Sequence, residues 1–137
     1  MARWTWYAVK TLYRTSARGR PVRRDAAFDP NAALIEERVL LVRARSFDEA
    51  IRKGEDEARE YARRPTYRNP YGQRVTTKYL EVCDAFNLFD EPANRREVYS
   101  RTEIVRADQS TDAEVKKVFG PDEPDGGDRR RRKFEPG

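Results

Sequence analysis

Residues 46–65, SFDEAIRKGEDEAREYARRP, decide how the rest of the chain must fold. Ser46 stands where a helix N-cap belongs and Glu49 follows three residues on. In this capping-box pattern each side chain answers the other residue's free backbone N–H. Apolar side chains recur at Phe47, Ala50, Ile51, Ala58, Tyr61 and Ala62, the spacing of one helical face. The acid-before-base pairs Asp48–Arg52, Glu49–Lys53, Glu55–Arg59 and Glu60–Arg64 line the wet side, each worth roughly 0.2–0.5 kcal/mol. Gly54 falls on the dry side. There it costs up to about 1 kcal/mol of helix propensity but lets the helix approach a neighbour closely. Pro65 ends the helix. A helix with one apolar stripe needs an apolar floor.

The flanking segments supply that floor. Trp4–Tyr13 is rich in Trp, Tyr, Val and Thr, lacks Pro and Gly, and reads as a strand apolar on both sides. Leu34–Arg45 reads as a second strand centred on Val39–Val42. Val75–Phe89 is a third, with Leu80, Val82, Phe86 and Leu88 on one parity and Tyr79, Cys83, Ala85 and Phe89 on the other. It exceeds the usual 5–6 residues or so, which predicts a bulge or a bend. Asp90–Arg96, holding Pro92 and Asn94, reads as a turn from which Glu97–Arg106 returns as a fourth strand. Thr15–Ala33 is expected to be a mobile basic loop, and Arg63–Arg74 a linker. Thr111 and Glu114 open a short helix that Gly120 and Pro121 close. Residues 121–137 have no aliphatic side chain and are expected to be a disordered charged tail.

The expectation is one α+β domain over residues 1–120, in the order β-β-α-β-β-α. A four-stranded antiparallel sheet would carry the long helix on one face. The second face then needs cover from a second protomer, the short C-terminal helix or a partner.

At 137 residues the chain has room for one well-buried domain. It contains no histidine and a single cysteine, Cys83. That excludes His-based triads and His-ligated metals, cysteine-cage zinc and an internal disulfide. No metal site or cofactor is expected. No run approaches the roughly 18 apolar residues of a membrane span, and no signal peptide opens the chain, so a cytoplasmic protein with no membrane partner is expected. The net charge of +5 lies in residues 1–33; residues 34–120 and 121–137 each sum to zero.

Four groups could carry function. Arg18-Gly19-Arg20-Pro21, followed by Arg23 and Arg24, has the core of an AT-hook, whose arginines enter a narrow minor groove. The alternative is a solvated basic loop. Asp84 shares parity with apolar residues and is expected to be held in a salt bridge to a cation on an adjacent strand. Cys83 has no histidine to act as its base and reads as a small core residue. The aromatic set Trp4, Trp6, Tyr7, Tyr79 and Tyr99, with Tyr13, fits a packed core or an interaction face better than a base-stacking surface, because acidic residues are interleaved.

Several stretches together carry a resemblance: Trp6-Tyr7-Ala8-Val9-Lys10, Glu36-Glu37-Arg38-Val39, Ser46-Phe47-Asp48-Glu49-Ala50, and Lys78 through Phe86. Glu97-Val98-Tyr99-Ser100 and Thr102-Glu103-Ile104-Val105 belong with them. Over roughly residues 4–120 the chain resembles a small bacterial family, domain of unknown function 4288. The shared positions are core and turn positions, and the resemblance implies no catalytic signature. The expected function is therefore non-catalytic: a protein-interaction module that tends to self-associate through the uncovered sheet face, with a protein partner or a homodimer expected. The alternative is an accessory DNA- or RNA-binding protein acting through Arg18–Arg24.

Overall fold

The computed structural model describes residues 3–120 and 127–137. Four strands, β1 (Thr5–Arg18), β2 (Leu34–Ala44), β3 (Tyr67–Arg68) and β4 (Arg74–Asn87), form one antiparallel sheet in the order β2-β1-β4-β3. Helix α1 spans Phe47–Ala62, α2 spans Thr111–Phe119, and a 3₁₀ helix spans Arg129–Phe134. The α+β class and the antiparallel sheet agree with the sequence reading. Thr11 faces Cys83 while Tyr13 faces Tyr79, so Leu12 lies opposite the Leu80–Val82 stretch and β4 carries the expected bulge, with Glu81 at φ 59°.

The fourth strand is not the expected one. Glu97–Arg106 has no regular structure, and the β4 edge pairs instead with β3, inside what reads as a linker. Two features of β4 explain this. Its bulge interrupts the ladder, and Phe89 at φ 63° turns the chain away, with Asn87 Oδ1 accepting from the Phe89 N–H at 2.8 Å. The β3–β4 turn is built on Asn69. Its Oδ1 accepts from the N–H groups of Tyr71 (3.0 Å) and Gln73 (2.9 Å), and Gly72 takes the φ of 78° that closes the loop.

Register fixes the two faces. Tyr7, Val9, Thr11 and Tyr13 of β1 lie under α1 and are buried. Their neighbours across the strands, Val42 and Leu40 on β2 and Ala85, Cys83 and Tyr79 on β4, share that side. Small residues make the contact possible: Ala50, Gly54 and Ala58 form the buried stripe of α1. Tyr7 meets Phe47 edge-on at 5.0 Å, and Tyr13 meets Tyr61 at 4.9 Å. Ser46 caps α1 as expected, its Oγ accepting from the Glu49 N–H at 3.1 Å. The Glu49 carboxylate binds Arg45 and Lys53 instead of closing the box. Among the anticipated helix pairs, Glu49–Lys53 and Glu55–Arg59 form, each at 3.2 Å. Arg59 also reaches across to Glu81 at 3.1 Å. The cap of α2 is Ser110, one residue before the expected Thr111.

Beyond α1 the roof continues with the basic loop and the chain's last residues. Because β1 runs on to Arg18, the loop begins at Gly19 and not at Thr15. The expected tail lies partly outside the described residues, at 121–126. The 3₁₀ helix that follows is a departure from the disorder expected of it. Asp128 caps it, accepting from the Arg130 N–H at 3.0 Å and pairing with the Arg130 guanidinium, which holds the Asp128 carboxyl down at about 2. Lys133 is the anchor, only 3% exposed. Its Nζ donates to the carbonyls of Asp29 (2.8 Å) and Ala32 (3.3 Å) and sits 5.5 Å from the Phe28 ring. Arg132 pairs with Asp25 at 2.7 Å, and Asp25 also accepts from Tyr71 Oη at 2.7 Å. Asn69 Nδ2 donates to the Lys133 carbonyl at 2.7 Å, and Tyr67 Oη donates to that of Phe134. A segment without aliphatic residues is thus held by a buried lysine and ion pairs.

Candidate functional site: the open face of the sheet

The side of the sheet away from α1 carries Trp6, Ala8, Lys10, Leu12, Arg14, Ser16 and Arg18 on β1. Register adds Ile35, Glu37, Val39, Leu41 and Arg43 on β2, and Arg74, Thr76, Lys78, Asp84 and Phe86 on β4. Helix α2 does not seal this face, because none of its residues is buried.

The face has three zones. At one end, Trp6 lies beneath the Arg43 guanidinium, 6.0 Å from the ring centroid, and Phe86 contacts Tyr99 at 6.1 Å. In the middle is an open cleft of about 450 Å³ lined by Lys10, Leu12, Glu37, Val82, Asp84, Tyr99 and Arg101. Its polar groups are paired, Arg101 with Glu103 at 3.4 Å and the others among themselves. Lys10 binds Glu37 at 3.0 Å and lies 5.3 Å from the Tyr99 ring, while Tyr99 Oη donates to Asp84 at 3.0 Å. Burial, then the hydrogen bond to Asp84, pushes the Tyr99 phenol up. Beside the cleft, exposed aliphatic side chains run along the β2 edge: Ile35 at 53%, Val39 at 48% and Leu41 at 49%, with Val82 at 54% across the sheet.

The third zone is cationic. Arg14 stands directly opposite Lys78, and Arg18 opposite Arg74, which is in turn opposite Arg68. All five are exposed and share one side, with Ser16 and Thr76 between them. Among the described residues Arg14, Arg18, Arg74 and Lys78 make no ion pair, and Arg68 donates only to the Gly72 carbonyl, at 2.7 Å. Arg20 and Arg23 extend from the same end, also without an ion pair among the described residues. Arg24 lies over Phe28 at 5.5 Å. The loop is not a free tape: Gly19 O accepts from Gln73 Nε2 at 2.9 Å, and the Val22 N–H donates to Tyr71 O at 2.9 Å.

Several expected site residues lie elsewhere. Tyr7 and Tyr79 belong to the core under α1, 3% and 4% exposed, and Tyr13 is fully buried there. Trp6 and Tyr99 lie on the open face. Trp4 packs beside Arg45 and Lys53, each 4.9 Å from its ring. Asp84 is exposed and takes the Tyr99 hydroxyl as partner; Lys10, its neighbour across the strands, pairs with Glu37 instead. Cys83 faces α1, and burial, then Glu55 and Asp84, pushes its thiol up, opposing thiolate formation. The grouping of Arg14, Arg68, Arg74 and Lys78 is invisible to a segment-by-segment charge count. Alternating parity over Arg14–Arg18 and Arg74–Lys78 was the signal that could have found it.

Among the described residues no helix is long and apolar enough to cross a membrane. No curated protein and no solved structure matches this chain. A family model does match, over residues 6–100, which spans the basic loop as well as the core and stops short of α2. The chain belongs to the family described as Domain of unknown function (DUF4288).

Proposed function

We propose that this domain works by binding and not by catalysis, and that its partner is a second copy of the same chain, joined along β2 beside the open face. The observation that carries the reading is the β2 edge. It is an outer strand of 11 residues with no bulge in its pairing to β1, and it presents Ile35, Val39 and Leu41 to solvent on one side. A long regular edge of this kind is a template for another strand. The opposite edge, on β4, is interrupted by the Glu81 bulge, which makes it the poorer template.

The charges on β2 favour self-pairing. Antiparallel pairing with a copy about Leu40 sets Glu37 against the partner's Arg43 and Val39 against the partner's Leu41, each twice by symmetry. Cross-strand pairs of this kind contribute roughly 0.2–1 kcal/mol each. Sedimentation tests the reading: the chain should run as a dimer, Glu37→Arg should dissociate it, and adding Arg43→Glu should restore it. A monomer at every concentration, or a double variant no tighter than the single one, rejects it.

A further inference from the structure

We infer that the cationic end of the open face is a binding site for the phosphodiester backbone of duplex nucleic acid. The site is the sheet surface formed by Arg14, Arg18, Arg68, Arg74 and Lys78, and the inference does not depend on self-association.

The arrangement runs against stability. Like charges directly opposite one another on adjacent strands repel, and here two such pairs share one side of the sheet with Ser16 and Thr76 between them, the second extended by Arg68 into a row of three arginines. The chain has acids to spare elsewhere: Lys10, Arg38, Arg45, Lys53 and Arg59 each have a carboxylate within 4 Å. At the cationic end the positions between the opposed pairs hold Ser16 and Thr76, Ile35 stands opposite Arg14, and Glu37, diagonal to Arg14, is paired with Lys10. A surface kept free of counter-charges is suited to a ligand that brings its own.

Geometry narrows the ligand. From Arg14 to Arg18 the strand advances about 13 Å, and the three strands span about 10 Å, so the cations form a grid and not a pocket. A grid fits several phosphates spaced along a polymer better than one phosphate group. Among the described residues no aromatic ring lies between the cations on this face, so those residues offer no platform on which single-stranded bases would stack. The positions between the cations, Ser16 and Thr76, are polar, and Ile35 opposite Arg14 is a single aliphatic side chain at the margin, less than the apolar face that enters a bilayer. Four of the five cations are arginines, with the bidentate fork that phosphate oxygens accept. Duplex read through its backbone is the ligand these features describe, and Arg20 and Arg23 are placed to add contacts at its margin.

The test is fluorescence anisotropy on a labelled duplex of about 10 base pairs, in A·T-rich and G·C-rich versions. Five phosphate contacts predict a slope of log K against log salt of about −4.5, a loss of about 500-fold between about 50 and about 200 mM salt. Arg18→Ala/Arg74→Ala should reduce the slope to about −2.7, Arg18→Lys/Arg74→Lys should retain it, and the two duplexes should bind alike. Thermal melting guards against misfolding: removing an opposed like-charge pair should leave Tm unchanged or raise it. An unchanged slope in the alanine variant overturns the inference. So does an A·T preference abolished by Arg20→Ala, which would return the site to the loop. Binding to phosphatidylserine vesicles without binding to duplex overturns it as well.

Discussion

Gly54→Ala is the sharpest test of how α1 sits on the sheet. In an exposed helix this change stabilises by about 1 kcal/mol, because alanine has the higher propensity. Here a methyl group at Gly54 would lie 2.4 Å from Val9 Cγ1 and 3.1 Å from Val9 Cβ, where ordinary contact begins near 3.4 Å. Val9 cannot easily yield. It is fully buried in the central strand, and its branched side chain has few rotamers. Overpacking of this kind costs about 1–3 kcal/mol, so after the propensity gain the net expectation is a loss of up to about 2 kcal/mol. Urea denaturation of Gly54→Ala, Val9→Ala and the double variant measures it. Val9→Ala removes the atoms that clash, so the double variant should be more stable than the sum of the single effects by the clash itself, about 1–3 kcal/mol. A Gly54→Ala protein as stable as the parent, with additive energies in the cycle, would falsify the close approach of α1 to β1.

Two further outcomes follow from polar groups at the margins of the core. Tyr79 Oη is buried without a hydrogen-bond partner among the described residues, and burial pushes the phenol up to about 12. Tyr79→Phe should therefore stabilise by about 1 kcal/mol, read as a higher urea midpoint at unchanged m; a lower midpoint would mean that the hydroxyl has a partner. Acid should release the 3₁₀ helix. The Asp128 carboxyl is depressed from 3.8 to about 2 by Arg130, and Asp25 is lowered by the hydrogen bonds from Tyr71 and Arg132. Groups depressed in the folded state contribute fully above their unfolded value and cease to contribute as pH falls through the folded one. Amide protection at Arg130–Phe134, taken relative to the intrinsic exchange rate at each pH, should fall between about pH 4 and about pH 2, ahead of α1; protection constant across that window counts against the ion-pair anchor.

Helix α1 was legible because its signals are local and agree: cap, apolar stripe, charge pairs and Pro65 lie within twenty residues. So were β1, β2, the bulge in β4 and the closing of α2 at Gly120. The fourth strand was misread because Glu97–Arg106 has strand-like composition, while its pairing depends on the φ of Glu81 and Phe89, which residue type does not announce. The β3–β4 hairpin was missed although Asn69, Pro70 and Gly72 are turn signals, because a strand as short as Tyr67–Arg68 has too few positions to show alternation. The C-terminal anchor was hidden for another reason. Burying a lysine costs free energy unless its donors are answered, and the answer comes from the Asp29 and Ala32 carbonyls, about a hundred residues earlier in the chain.

The open face shows why charge arithmetic by segment misled. Residues 34–120 sum to zero, yet α1 takes six of their acids and the central cleft takes Glu37 and Asp84, while Arg68, Arg74 and Lys78 are carried by register to Arg14 and Arg18. Neutrality along the chain became separation in space. The same separation keeps the two proposed surfaces from competing. Pairing about Leu40 uses the outer edge of β2, whereas the cations stand on the three strands inside it, β1, β4 and β3. A twofold axis through that edge, perpendicular to the sheet, leaves both open faces on one side. The dimer would then present two cationic grids on a single continuous surface, so that one long duplex could meet both. Self-association would thereby raise the effective concentration of the second grid without adding any contact to the first.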